Sequence, residues 1–117
     1  MPHEAAAIPL TLDVSSSDGI VTVLCHGKLI YGFTEVLSSR VSPLIPGSKK
    51  ILLDLTDLTI MDSMGVGTLV RLYVSAKSKG SCLELINVGP RIRQLLGITN
   101  LLSVLTDMCE QGINLRF

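Results

Sequence analysis

The sequence predicts an α/β domain with a mixed sheet of about five strands, an opening hairpin followed by parallel strands, and about four helices packed on it. The first observation behind this prediction is an Asp-Gly pair between an alternating segment and a β-branched segment, which is typical of a hairpin. The second is that short apolar runs then alternate with segments of helical spacing. Strands joined through helices pair in parallel by right-handed crossovers, so the later strands are expected to be parallel.

The hairpin and the first helix come from the first half of the chain. Residues 10–14 alternate between apolar and polar, residues 15–19 form a turn cluster, and residues 20–25 form the return strand, which ends near Gly27. Apolar residues at offsets of three and four predict a helix over 33–44, which Pro46-Gly47 stops.

The second half repeats a strand–helix order. The continuous apolar run 51–55 predicts a buried central strand, and residues 56–61 are expected to be a connection. The remaining predictions are a helix over 63–79 with Gly80 as its C-cap, a strand over 82–87, a helix from Pro90 to near Gly97, a strand over 102–105 and a final helix.

Composition favours one folded domain, with residues 1–9 as a short tail and residues 10–117 as a single domain. Hydrophobic residues make up 47% of the chain and charged residues 17%, which suits a packed core. Lys plus Arg equals Asp plus Glu at 10 each. This balance argues against nucleic-acid binding and against a polybasic membrane anchor.

The cysteines and histidines suggest no metal site and no cofactor. Cys25, Cys82 and Cys109 are far apart and form no C-x-x-C pair, so reduced cysteines in the cytoplasm are the simplest interpretation. His3 falls in the tail, and His26 at a strand end is interpreted as a surface or edge residue. No secretory signal or transmembrane run is found. A Walker A motif, a dinucleotide fingerprint and a nucleophile elbow are also absent, and the chain is not expected to be an enzyme.

The segment that carries chemistry joins the buried strand to the helix predicted from Ser63. Gly65 and Gly67 lie near the start of this helix, where each costs about 1 kcal/mol relative to Ala, and rule-breaking residues often mark working sites. A phosphate on Ser63 would meet the positive end of the helix dipole and would add charge beside Asp62. The motif in isolation favours the simpler interpretation that Asp62 and Ser63 only cap the helix.

The motif and its flanks resemble the STAS domain family of anti-sigma factor antagonists and sulphate-transporter tails. The similar parts are Asp54-Leu55-Thr56, Met61-Asp62-Ser63-Met64-Gly65-Val66-Gly67, the strand ending in Gly27, and the stretches 80–85 and 96–102. The resemblance covers about residues 10 to 110 and implies a STAS-like mixed sheet. It also implies that Ser63 is phosphorylated, with Asp54, Asp62, Met64, Gly65 and Gly67 around the phosphosite and on the partner-binding surface.

The resemblance further implies a partner-switching role in transcription regulation. The unphosphorylated form would bind an anti-sigma factor that is also a serine kinase and brings the ATP, and would thereby release the sigma factor. Phosphorylation of Ser63 would abolish binding, and a PP2C-type phosphatase would reset the protein. The resemblance also allows a homodimer, and it does not name the pathway that is controlled.

Two departures and two alternatives accompany this interpretation. Lys28 and Ile30 stand where the family often has acidic residues, and Met64 stands where it often has a small one. One alternative is a STAS interaction subunit that is never phosphorylated, in a signalling scaffold or a lipid-transport complex. The other is a receiver domain with Asp54 as phosphoacceptor, but the chain lacks a receiver's acidic pair and has no Lys after Lys79.

Overall fold

The computed structural model describes residues 10–98, which form one four-stranded sheet and the helices packed against it. The elements in chain order are β1 (Leu10–Ser17), β2 (Ile20–Leu29), α1 (Thr34–Val41), a 3-10 helix (Ser42–Gly47), β3 (Lys50–Met61), α2 (Ser63–Ser78), β4 (Leu83–Ile86) and α3 (Pro90–Ile98). The strand order is β1-β2-β3-β4.

The sheet is mixed, as the sequence predicts, because β1 and β2 pair antiparallel while β2–β3 and β3–β4 are parallel. Four strands and three α-helices lie within residues 10–98, the numbers that the sequence predicts for that part of the chain. The strand predicted over 102–105 and the final helix lie outside the described residues.

The hairpin turn is shorter than the predicted cluster over 15–19. Asp18 and Gly19 both have positive φ, 53° and 83°, which is the backbone of a two-residue type I′ turn. Because this turn needs only two residues, β1 continues through Ser17, which pairs with Ile20.

Strand β3 runs on to Met61, so the prediction of a connection over 56–61 is wrong. β3 uses 12 residues where the parallel β2 uses 10, and the register slips twice, between Leu24 and His26 and again between Gly27 and Lys28. Each slip adds one residue to β3, so its buried positions change from every second residue to every third: Leu55, Leu58 and Met61. A strand with two bulges therefore lacks the alternation that identifies strands in a sequence.

Helix α1 ends at Val41 instead of near residue 44, because prolines follow. Pro43 and Pro46 have no N–H to donate, and the chain continues as the 3-10 helix. The buried thiol of Cys25 is free, as predicted, whereas Cys82 is disulfide-bonded, so the prediction of reduced cysteines is wrong for Cys82. Cys82 precedes β4 rather than lying on it.

The core is a single, mostly aliphatic cluster between the sheet and the helices. Its fully buried members include Val23 from β2, Leu37 from α1, Leu53 from β3, Leu69 from α2 and Leu85 from β4. With α2 packed on this core and β3 in the middle of the sheet, the link between β3 and α2 has little freedom of position.

Candidate functional site

The candidate site lies where β3 passes into α2, with Asp62 alone between the two elements. Asp62 has an extended backbone (φ −111°, ψ −174°), which is the usual geometry of an N-cap residue. Its Oδ1 accepts a hydrogen bond from the backbone N–H of Gly65 at 3.0 Å. Asp62 is therefore the residue that caps α2.

Asp62 also ties the helix start to the end of β2. Its Oδ2 accepts a hydrogen bond from the backbone N–H of Tyr31 at 2.8 Å, and its own N–H donates to the Leu29 carbonyl at 3.3 Å. Burial tends to raise the pKa of Asp62, but the hydrogen bonds from Tyr31 and Gly65 outweigh it and lower the pKa. The carboxylate is thus charged at neutral pH and neutralises part of the positive helix end.

Ser63 occupies the first helical position and is exposed. Within residues 10–98 its hydroxyl has no hydrogen-bond partner, so it takes no part in capping. Sequence alone allowed both Asp62 and Ser63 to be caps; the structure assigns that task to Asp62. The Ser63 hydroxyl is left facing solvent beside a carboxylate.

The two glycines differ in their surroundings. A Cβ atom on Gly65 would lie 2.3 Å from the Leu29 carbonyl oxygen and 2.7 Å from Met61 Cγ, and Gly65 is buried. A Cβ atom on Gly67 would meet nothing within 4 Å. Gly65 therefore lets the helix start approach β2, whereas Gly67 leaves open space above the helix.

Two residues near Ser63 carry large exposed side chains. Met64 follows it in the helix and is 46% exposed, and Tyr31, whose backbone is bonded to Asp62, is 73% exposed. Nothing in the sequence marks Tyr31 as a site residue, because its place at the site depends on the pairing of Leu29 with Met61, and that pairing requires the register of the bulged strand. Contiguous exposed apolar patches mark interaction sites, whereas single exposed apolar residues are ordinary, so Tyr31 and Met64 are docking candidates because of their nearness to the Ser63 site.

Asp54 does not lie at the end of its strand, because β3 continues for seven residues beyond it. Its Oδ1 accepts hydrogen bonds from the Thr56 hydroxyl (2.6 Å), the Thr56 N–H (3.0 Å) and the Asn87 side-chain amide (3.1 Å). Burial tends to raise the pKa of Asp54, but these bonds outweigh it and lower the pKa. Asp54 thus connects β3 to the end of β4 through these hydrogen bonds.

Two further properties hold for the part of the chain that the structure describes. No group of three or more His, Cys, Asp or Glu side chains there could hold a metal ion. None of its helices combines the length and apolarity needed to cross a membrane.

The sequence is similar to those of known proteins. The STAS domain model matches residues 11–111. The anti-sigma-B factor antagonist of Bacillus subtilis (strain 168) is 27% identical over 96 residues, which cover 82% of this chain and 88% of that protein.

Solved structures share the fold. An anti-sigma factor antagonist from Mycobacterium paratuberculosis superposes with a TM-score of 0.74 at 18% identity and covers 84% of each chain. The phosphorylated form of the Bacillus cell fate determinant SpoIIAA superposes with a TM-score of 0.66 at 20% identity, over 80% of this chain and 86% of that one.

Proposed function

Since the chain belongs to the STAS domain family, we propose that it is an anti-sigma factor antagonist switched by phosphorylation of Ser63. In the unphosphorylated state it binds an anti-sigma factor that is also a serine kinase, and the sigma factor is released. It acts by binding rather than by catalysis, in the cytoplasm, because its partner needs ATP. The Cys82 disulfide removes the support that reduced cysteines would have given to this location.

One observation carries the proposal: the division of work between Asp62 and Ser63. Asp62 caps α2 with one carboxylate oxygen and holds Tyr31 with the other, so the fold does not need the Ser63 hydroxyl. An exposed hydroxyl at a fixed point of a helix start, with the exposed Met64 next to it in the chain, suits an acceptor that a partner can reach.

The chemical step needs nothing from this chain beyond the hydroxyl. The Ser63 oxygen attacks the γ-phosphorus of the ATP held by the partner, its proton passes to a base of the kinase, and ADP leaves. A PP2C-type phosphatase later hydrolyses the ester with water and releases inorganic phosphate.

The electrostatic effect of the ester explains release. A phosphate adds about −1.5 to −2 charge at neutral pH. It would stand beside the Asp62 carboxylate, which already occupies the Gly65 N–H. A partner docked over Tyr31 and Met64 would have to bury two neighbouring anions, and like charges brought together at an interface cost on the order of several kcal/mol.

The experiment uses the purified chain with the kinase-type anti-sigma factors of its own organism and ATP. Intact-mass and peptide mass spectrometry should find one phosphate, on Ser63, and none in Ser63→Ala. The matched control is Ser39→Ala, which removes an exposed serine from α1 and should still be phosphorylated. Phosphate on another residue, or on none, would refute the switch.

The second candidate is a STAS interaction subunit that is never phosphorylated. The occupied helix cap favours it, because Asp62 rather than an empty anion site meets an incoming phosphate. This candidate predicts that Ser63→Asp leaves partner binding unchanged, whereas Met64→Asp and Tyr31→Asp weaken it.

A further inference from the structure

The His26 ring is held between two carboxylates on neighbouring strands. Its Nε2 lies 2.8 Å from Asp13 Oδ2 on β1, and its Nδ1 lies 3.0 Å from Asp57 Oδ2 on β3. A neutral imidazole has one N–H and can donate to only one of them, and its other nitrogen would turn a lone pair toward a carboxylate. Both contacts are satisfied at once only when the ring is protonated.

The ring sits where β2 and β3 change register. Leu24 pairs with Asp54 but His26 pairs with Asp57, so two steps along β2 correspond to three along β3. A bulge of this kind bends a strand and changes its direction. The His26–Asp57 contact joins the two strands at the first bulge.

The second bulge has its own polar contact and leads directly to the site. The Thr59 hydroxyl donates to the Gly27 carbonyl at 3.0 Å, and β3 then ends with Met61 beside Leu29. The next residue, Asp62, makes the bonds to Leu29 and Tyr31 that place the helix start. The position of Ser63 relative to β2 therefore depends on how the bulged end of β3 lies along β2.

We propose that His26 is a positioning residue for the Ser63 site, whose protonated ring clasps β1 and β3 to β2 and holds the bulged end of β3 in place. Loss of the proton leaves one N–H, which stays with Asp13 at the shorter distance, so Asp57 is released, the bulged segment loosens and Ser63 becomes a poorer target for the partner. The effect on the partner rests on the function proposed above; the clasp itself does not.

The direction of the pH dependence follows from the charges around the ring. Asp13 on β1 and Asp57 and Asp54 on β3 are all acidic. The hydrogen bond to Asp13 raises the pKa of His26 most, partial desolvation opposes it, and the charges of Asp13 and Asp57 raise it further. The clasp is therefore complete below the ordinary histidine pKa of about 6.5 and is lost as pH rises through the raised value.

The test follows the ring and the site separately by NMR on the full chain. Ring nitrogen shifts give the protonation of His26, and amide hydrogen exchange gives the opening of the Asp62 and Gly65 N–H bonds, corrected for the intrinsic pH dependence. Wild type should protect these amides about two- to fivefold better than His26→Gln at about pH 6, as expected for exposed charge pairs, and equally at about pH 8.5.

Matched variants separate the two sides of the ring. Asp57→Asn should remove the pH-dependent protection at Asp62 and Gly65, because it cuts the contact at the bulge. Asp13→Asn removes the competing carboxylate, so a neutral ring can donate its N–H to Asp57, and the protection at Asp62 and Gly65 should stay in place at both pH values. His3→Gln, which removes the chain's other histidine, should change neither measurement.

The outcomes distinguish this inference from the proposed function. Protection that ignores the titration of His26, or that is lost equally in Asp13→Asn and Asp57→Asn, overturns the positioning role whether or not Ser63 is phosphorylated. With the kinase partner, the ratio of wild-type to His26→Gln phosphorylation rates should fall from about two- to fivefold at about pH 6 to unity at about pH 8.5. A ratio independent of pH also overturns it.

Discussion

Replacing Gly65 with alanine should destabilise the protein even though alanine favours helices. The new Cβ atom would lie 2.3 Å from the Leu29 carbonyl oxygen, about 1 Å inside an ordinary contact. Overpacking of this kind costs about 1–3 kcal/mol. Moving the carbonyl also weakens the Asp62–Leu29 hydrogen bond, worth about 1 kcal/mol, while better helix propensity returns about 1 kcal/mol. We expect the free energy of unfolding to fall by about 1–3 kcal/mol.

Gly67→Ala provides the matched control two residues further along the same helix. Its Cβ atom would meet nothing within 4 Å, so only helix propensity acts, and the free energy of unfolding should rise by about 0.5–1 kcal/mol. Urea unfolding followed by circular dichroism measures both variants, with unchanged m-values as the check on two-state behaviour. Equal effects of the same sign in the two variants would refute the close-approach argument.

Two further predictions concern Asp62 and Cys25. Asp62→Ala removes the acceptor for two backbone N–H groups and should lower the free energy of unfolding by about 1–2 kcal/mol. Backbone hydrogen bonds outweigh burial and hold the pKa of Asp62 below 3.8, so this difference should be full above that pH and shrink as pH falls through the lowered pKa. A difference that is the same at neutral and strongly acid pH would contradict it. Burial, aided by the charge of Asp54, raises the pKa of Cys25 to about 12. Iodoacetamide should therefore alkylate this thiol at about pH 8 only after unfolding. Labelling of the native protein would contradict the buried position of Cys25.

The order of elements in the described residues follows from hydrophobic periodicity, and one exception shows where that signal fails. The Asp-Gly turn, the central apolar run and the helix beginning at Ser63 were all placed correctly. The second half of β3 was not, because two bulges space its buried residues three apart. Nothing local distinguishes that spacing from a turn; the strand exists because β2 supplies a partner along its whole length.

The site was predicted in part. The sequence predicts Asp62 and Ser63 at a helix start. It does not show which of the two caps the helix and which is left exposed, because that depends on the backbone angles of Asp62. It treated Gly65 and Gly67 alike, although only Gly65 faces the Leu29 carbonyl. The sequence presents His26 only as an edge residue. The two acidic partners of His26 come from separate strands and are brought together only by the register of the folded sheet.

The most direct measurement is the affinity of the kinase-type anti-sigma factor for the chain before and after a single phosphate is installed on Ser63, determined by calorimetry with folding verified for both forms. Binding should weaken on the order of 100-fold on phosphorylation, because the interface would have to bury the ester beside Asp62. Equal affinity of the two forms would contradict the account and leave a STAS interaction subunit that does not switch.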